Sequence, residues 1–325
     1  MILFGVVVGV AVMFAVTNGL HDACAAVAGA VRTRALTPLV AVVSAASFTF
    51  LGALLGNPAT ASFPDEFIDT AAGRDGLALL LAALLGATAW NLITWRLGLP
   101  TSSTHALLGG LTGAVLAGGR SVDWAPLLTS LVLPLVGLTV VAGGVAALAM
   151  GALIWAAHRQ PPATTNRRLR IAQSVTASAV ALGHGMHDGQ RVAAVLLLAL
   201  ALADAPVAGQ TWVLIWAAVA IGAGTLVGGW RITRTVARRI VRIEPATGFV
   251  AESTTAGLLV LTSFGPGLPV STSYTIVVAL TGAGAVQNRR NVKWFTLRRI
   301  VLAWLATWPA SAALAAVPAF VLVRP

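Results

Sequence analysis

Apolar runs recur along this chain at lengths that match a lipid bilayer, and that one feature removes most folds from consideration. They cover residues 1–16, 38–55, 76–95, 125–155 (one long span or two broken ones), 192–203, 211–229, 249–264 and 300–323. A helix crosses the hydrocarbon core with about 17–25 apolar residues. The stretches after Asp22, Thr104, Asp188 and Ser273 are shorter and rich in glycine. Only 10% of the residues are charged, too few to cover a water-facing surface. The short alternating strands of a membrane barrel are absent. The expectation is an all-α polytopic membrane protein with about 10–12 membrane helices, some of them broken or re-entrant.

A net charge of +11 invites a nucleic-acid reading, but the placement of the charge opposes it. Lys293 is the only lysine, and most arginines sit in short connections between apolar runs. That distribution fixes membrane orientation; it does not build a face for nucleic acid. The basic stretches at Arg32 and Arg34, 158–170, 231–242 and 289–299 belong on the cytoplasmic side of the cell membrane. The acidic segment 57–75 (Asp65, Glu66, Asp69, Asp75) and the turn 203–206 belong outside. The 231–242 run is expected to form a surface helix against anionic lipid, and several tryptophans, Trp95, Trp155, Trp230 and Trp294 among them, to mark the interfaces. The first run has no basic flank and no small-residue cleavage site, so it reads as a span. The single Cys24 excludes an internal disulfide and a cysteine metal cluster.

The chain also repeats itself. Thr17-Asn18-Gly19-Leu20-His21-Asp22 corresponds to Gly183-His184-Gly185-Met186-His187-Asp188, and Pro100-Thr101-Ser102-Ser103-Thr104-His105 to Pro269-Val270-Ser271-Thr272-Ser273-Tyr274. Asp22 stands 78 residues before Pro100, and Asp188 stands 81 before Pro269. The charge map runs the Asp22 segment from outside to inside and the Asp188 segment from inside to outside. This is the inverted repeat of many secondary transporters, whose substrate sites lie at the repeat interface. Residues 1–157 read as the first repeat, 158–170 as a basic cytoplasmic linker and 171–325 as the second repeat.

Ionisable groups at membrane depth are costly and mark pathways or sites. Here they are His21, Asp22, His184, His187, Asp188, Arg191 and Glu252, with Asn18, Asn91 and Gln190 beside them. Any one alone reads as a helix-packing contact; the recurrence of Asp22 and Asp188 at equivalent positions favours function. Pro100 and Pro269 each end a helix, and the hydroxyl residues behind them cap the next one. A half-helix starting there offers free N–H groups, hydroxyls and the positive end of its dipole, which together suit an anion. The substrate-binding set is therefore Asp22, Thr101, Ser102, Ser103, Asp188, Gln190, Ser271, Thr272 and Ser273. A carboxylate repels fully ionised sulfate but accepts a hydrogen bond from a protonated phosphate oxygen, which favours phosphate. The groups for a coupling ion or proton relay are His21, Asp22, Asn91, His105, His184, His187, Asp188 and Glu252. His-Asp groups can also ligate a divalent metal, but no dedicated metal site is assigned, and no cofactor beyond a coupling proton or sodium.

At these motifs the chain resembles the inorganic phosphate transporter (PiT) family over nearly its whole length. The segments 17–23, 184–191, 99–105, 267–273 and 289–294 carry the likeness. The resemblance implies a two-repeat, commonly homodimeric phosphate permease driven by a sodium or proton gradient, with the Asp residues and the Ser/Thr turns as ligands. The family usually has Asn before each Asp, where this chain has His21 and His187. Ala25, Arg191 and Tyr274 replace a common Asn, Lys and His. Exchanging amides for imidazoles leans the expectation toward proton coupling or carriage of a metal–phosphate complex. The alternatives are a permease for another oxyanion such as sulfate, a passive channel, and an intramembrane enzyme. The last is disfavoured because no oriented nucleophile or cofactor motif accompanies His184 and Asp188.

Overall fold

The structure, a computed structural model, describes residues 1–56, 73–205, 211–264 and 268–323. Most of the acidic segment expected outside, with Asp65, Glu66 and Asp69, lies beyond the described residues, as does Pro206. The described chain is almost wholly helical, and an isolated antiparallel bridge joins Val241 to Val292. Two long helices carry the repeated Asp residues: α1 (Ile2–Arg32) and α7 (Pro162–Leu202). The others are α2 (Pro38–Leu55), α3 (Gly73–Leu97), α4 (Ser103–Ala117), α5 (Trp124–Pro126), α6 (Leu133–Ala157), α8 (Thr211–Val227), α9 (Trp230–Thr235), α10 (Pro245–Phe264), α11 (Thr272–Asn288) and α12 (Trp294–Val323). Among the described residues, five helices are long and apolar enough to span a bilayer, or six if the bent pair Thr211–Val227 and Trp230–Ile240 counts as one span.

Three details differ from the sequence reading. First, α1 and α7 run unbroken through their glycine-rich motifs. Gly19 and Gly224 interlock α1 with α8, and Gly185 and Gly52 interlock α7 with α2. A Cβ on any of these would overlap a backbone carbonyl of the neighbouring helix, so the glycines serve close approach and not a kink. Second, residues 162–170 already belong to the first turns of α7. Third, the basic run 231–242 has a buried face as well as an exposed one. Ile232, Val236 and Ile240, at helical spacing, are fully buried, and the arginines between them face outward. The bend that turns this segment back to the bundle falls at Gly228 and Gly229, with φ of +83° and +47°, a conformation glycine adopts without strain.

The halves are arranged head to tail. The beginnings of α1 and α3 share one end of the bundle with the end of α7, where Leu3, Arg74, Leu77 and Asp204 line a common cleft. Arg32 at the end of α1 meets Val241 and Arg290 at the other end. Thus α1 and α7 run in opposite directions. The hairpin α3–α4 enters from the first end, and α10–α11 from the second, where Gln287 Nε2 donates to Glu244 Oε2 at 2.6 Å. Equivalent contacts repeat: α8 packs on α1 as α2 does on α7, and α12 packs on α4 as α6 does on α11. Large apolar side chains point outward along the helices, among them Leu133, Val140 and Leu148 of α6 and Leu305 and Val321 of α12. In water such a surface would aggregate; in lipid it is the expected exterior.

Candidate functional site

The two hairpins end in capped turns of the same construction. Ser102 caps α4 by accepting from the N–H of His105 at 3.3 Å, and Ser271 caps α11 by accepting from Tyr274 at 3.4 Å. Pro100 and Pro269, two residues earlier in each turn, cannot continue a helix from the preceding arm. The rings one turn into each half-helix, His105 and Tyr274, stack with centroids 5.1 Å apart. The tips of hairpins from opposite ends therefore meet inside the bundle.

Each of the two repeated Asp residues serves the turn of the other half. Ser273 of α11 donates its hydroxyl to Asp22 of α1. In the reciprocal place, Asp188 of α7 reaches Thr104 of α4 through Arg191. The Arg191 Nη1 donates to Asp188 Oδ1 at 2.8 Å and to Thr104 Oγ1 at 2.9 Å, while its Nη2 donates to the Val270 carbonyl at 3.3 Å. His184 Nδ1 lies 2.8 Å from Asp188 Oδ2. Ligand atoms of Asp22, His184 and Asp188 all fall within 4.8 Å of one another, and the three residues are buried. One difference between the halves bears on charge: Ala25 follows Asp22 by three residues where Arg191 follows Asp188. Asp188 has a tethered cation and Asp22 has none on its own helix.

Of the buried polar atoms that lack a hydrogen-bond partner among the described residues, four form repeat-related pairs on the site's own helices. Asn18 Oδ1 and His184 Nε2 sit one turn before the two Asp residues; Ser103 Oγ and Thr272 Oγ1 open the two half-helices. Buried donors and acceptors are normally satisfied, so these four groups suit a polar occupant between the tips.

Not every candidate joins this cluster. His21 Nε2 lies 3.0 Å from Thr94 Oγ1 and 3.4 Å from Thr101 Oγ1, and His187 Nε2 lies 2.9 Å from both the Leu259 carbonyl and Thr262 Oγ1. Each imidazole thus fastens its helix to the hairpin of its own half. Gln190 is buried against Gly56 at the end of α2, and Asn91 is buried with neither amide atom partnered among the described residues. Glu252 stands apart. It accepts from Gln173 Nε2 at 3.1 Å and Thr176 Oγ1 at 3.2 Å, beside Gly29 of α1. Gly29 lies two turns beyond Asp22, about 10 Å along the helix. Sequence reasoning left Arg191 and Thr104 out of the site; the spacing of Arg191 three residues beyond Asp188 was the available signal.

The sequence profile of the phosphate transporter family matches residues 18–168 and 155–315. Among curated proteins, the chain is 38% identical over 321 residues to a probable low-affinity inorganic phosphate transporter of Rhizobium meliloti, covering 95% of this chain and 93% of that one. A protein described in the same words from Bacillus subtilis is 33% identical over 320 residues, covering 96% and 95%. Among solved structures, one titled the sodium-dependent phosphate transporter superposes with a TM-score of 0.85 at 23% identity, over 99% of both chains. At that identity the superposition speaks to the fold.

Proposed function

The chain belongs to the phosphate transporter family, and we propose that it is a secondary transporter that concentrates inorganic phosphate across the cell membrane, using a proton or sodium gradient. The observation that carries this reading is the crossed pairing of the halves. An Asp from each half converges with a capped hydroxyl turn from the opposite half, directly for Asp22 and through Arg191 for Asp188. Two half-helix N-termini supply N–H groups and positive dipole ends to a tetrahedral anion. The Asp22 carboxylate selects phosphate by accepting from a protonated oxygen, which sulfate lacks.

Charge balance argues for coupling. Arg191 offsets Asp188, so a phosphate anion beside Asp22 needs an incoming positive charge. A proton, a sodium ion or a divalent metal arriving with phosphate each supplies it, and the carboxylate–imidazole set of Asp22, His184 and Asp188 suits the last. Because the imidazoles stand in place of amides, we favour a proton or a metal–phosphate complex. Assembly as a homodimer within lipid, through the apolar exterior, extends the same reading. Uptake of radiolabelled phosphate into proteoliposomes under imposed proton or sodium gradients, with and without divalent metal, tests it. Sodium-dependent uptake indifferent to pH and metal overturns our preference for the coupling ion. Equal competition by sulfate favours a general oxyanion permease, and uptake that only equilibrates is that of a channel.

A further inference from the structure

The basic end of the bundle carries a second concave site, and its residues take no part in the crossed Asp and hydroxyl arrangement. Arg32 at the end of α1, Arg238 and Arg242 beyond α9, and Arg290 and Lys293 between α11 and α12 line one cleft of about 550 Å³. A second cleft shares Arg32 and Arg238 with it and adds Arg34 and Arg234. No carboxylate of the described residues lines either one. Among the described residues, the sole ion pair recorded for these cations joins Arg242 to Glu244 at 3.5 Å. Orientation in the membrane requires basic residues near this face, but it does not require them to converge. These come from three chain segments widely separated in sequence.

The walls are also fastened together. Val241 and Val292 form an antiparallel bridge, the Lys293 N–H donates to the Ile240 carbonyl at 2.8 Å, and Lys293 Nζ donates to the Arg238 carbonyl at 2.8 Å. Buried Ile232, Val236 and Ile240 anchor the arginine-bearing segment on the bundle. The cations are thus held around a fixed concavity, where the guanidinium fork suits phosphoryl oxygens. One orthophosphate carries too little charge to offset five cations, and a chain of phosphoryl groups carries enough. We propose that this cleft binds a soluble polyanion with three or more phosphoryl groups, at a site separate from the one for the transported anion. This holds whichever ion drives transport.

The test uses the full-length protein in nanodiscs of zwitterionic lipid, with tripolyphosphate as the probe and isothermal titration calorimetry as the readout. One site per chain is expected, with affinity falling steeply as salt rises. The double variant Arg238→Gln/Arg290→Gln should weaken it by roughly tenfold or more, since each removes charge-assisted bonds to phosphoryl oxygen. Phosphate uptake by that variant should match wild type when no tripolyphosphate is present. The Asp22→Asn protein should bind tripolyphosphate as wild type does. Absent binding, binding unchanged by the double variant, or binding lost in Asp22→Asn overturns the proposal. So does a cleft that takes only membrane lipid: tripolyphosphate would then fail to bind in zwitterionic discs, while the double variant would lose protection by anionic lipid.

Discussion

Replacing Arg191 by Met should destabilise the fold, and the reason is local. Asp188 is 3% exposed and has two recorded partners, His184 and Arg191. Without the guanidinium, a buried carboxylate keeps only the imidazole, while the Thr104 hydroxyl and the Val270 carbonyl lose a donor. Breaking a buried ion pair by removing one partner costs about 3–5 kcal/mol. The ten tryptophans give an intrinsic fluorescence melt of the purified protein, in which the loss should lower the melting temperature by several degrees. Adding Asp188→Asn removes the stranded charge. The double variant should therefore melt above Arg191→Met alone, with non-additivity of at least about 1 kcal/mol. Arg191→Lys should fall between, since a point charge satisfies Asp188 but cannot also reach both Thr104 and Val270. A single variant as stable as wild type, or a double variant whose losses simply add, would refute the assignment of Arg191 as the buried counter-cation that ties the hairpin tips.

Other consequences follow from the same contacts. Gly185→Val should yield no monodisperse protein by size-exclusion chromatography, because its side chain meets the Thr49 carbonyl; Gly151→Ala, with nothing within 4 Å of the new Cβ, should behave as wild type. Glu252→Ala strands Gln173 Nε2, leaves the Thr176 hydroxyl only the Gln173 carbonyl as acceptor, and should cost about 1–3 kcal/mol of stability. Its phosphate KM should nevertheless hold in uptake assays, whereas a large rise in KM would place Glu252 on the substrate path. Asp22→Ala removes the acceptor for a protonated oxygen, so competition assays should show phosphate losing its advantage over sulfate.

Much of this architecture is legible in the sequence because bilayer length, positive charge and repetition are each one-dimensional signals. The capped turns at Ser102 and Ser271 are legible too, since proline followed by hydroxyl residues has few other uses in an apolar run. The crossed pairing is not. Chain order says that Asp22 and Ser273 occupy related places in different halves, but nothing in it says that they touch. The role of Gly19 and Gly185 is not legible either, since only the neighbouring backbone reveals that they serve close packing. His21 and His187 look like open ligands until Thr94 and Thr262 are seen beside them. The basic run 231–242 conceals its buried face, although the spacing of Ile232, Val236 and Ile240 carries that signal.

The crossed arrangement requires both halves to hold a single anion. Equilibrium binding of radiolabelled phosphate to the purified protein tests it directly, comparing wild type with Ser103→Ala and Thr272→Ala, whose hydroxyls open the two half-helices from opposite halves. One phosphate per chain is expected, with a weakening of comparable size from either substitution. Two phosphates per chain, or binding that ignores one of the two turns, would contradict it.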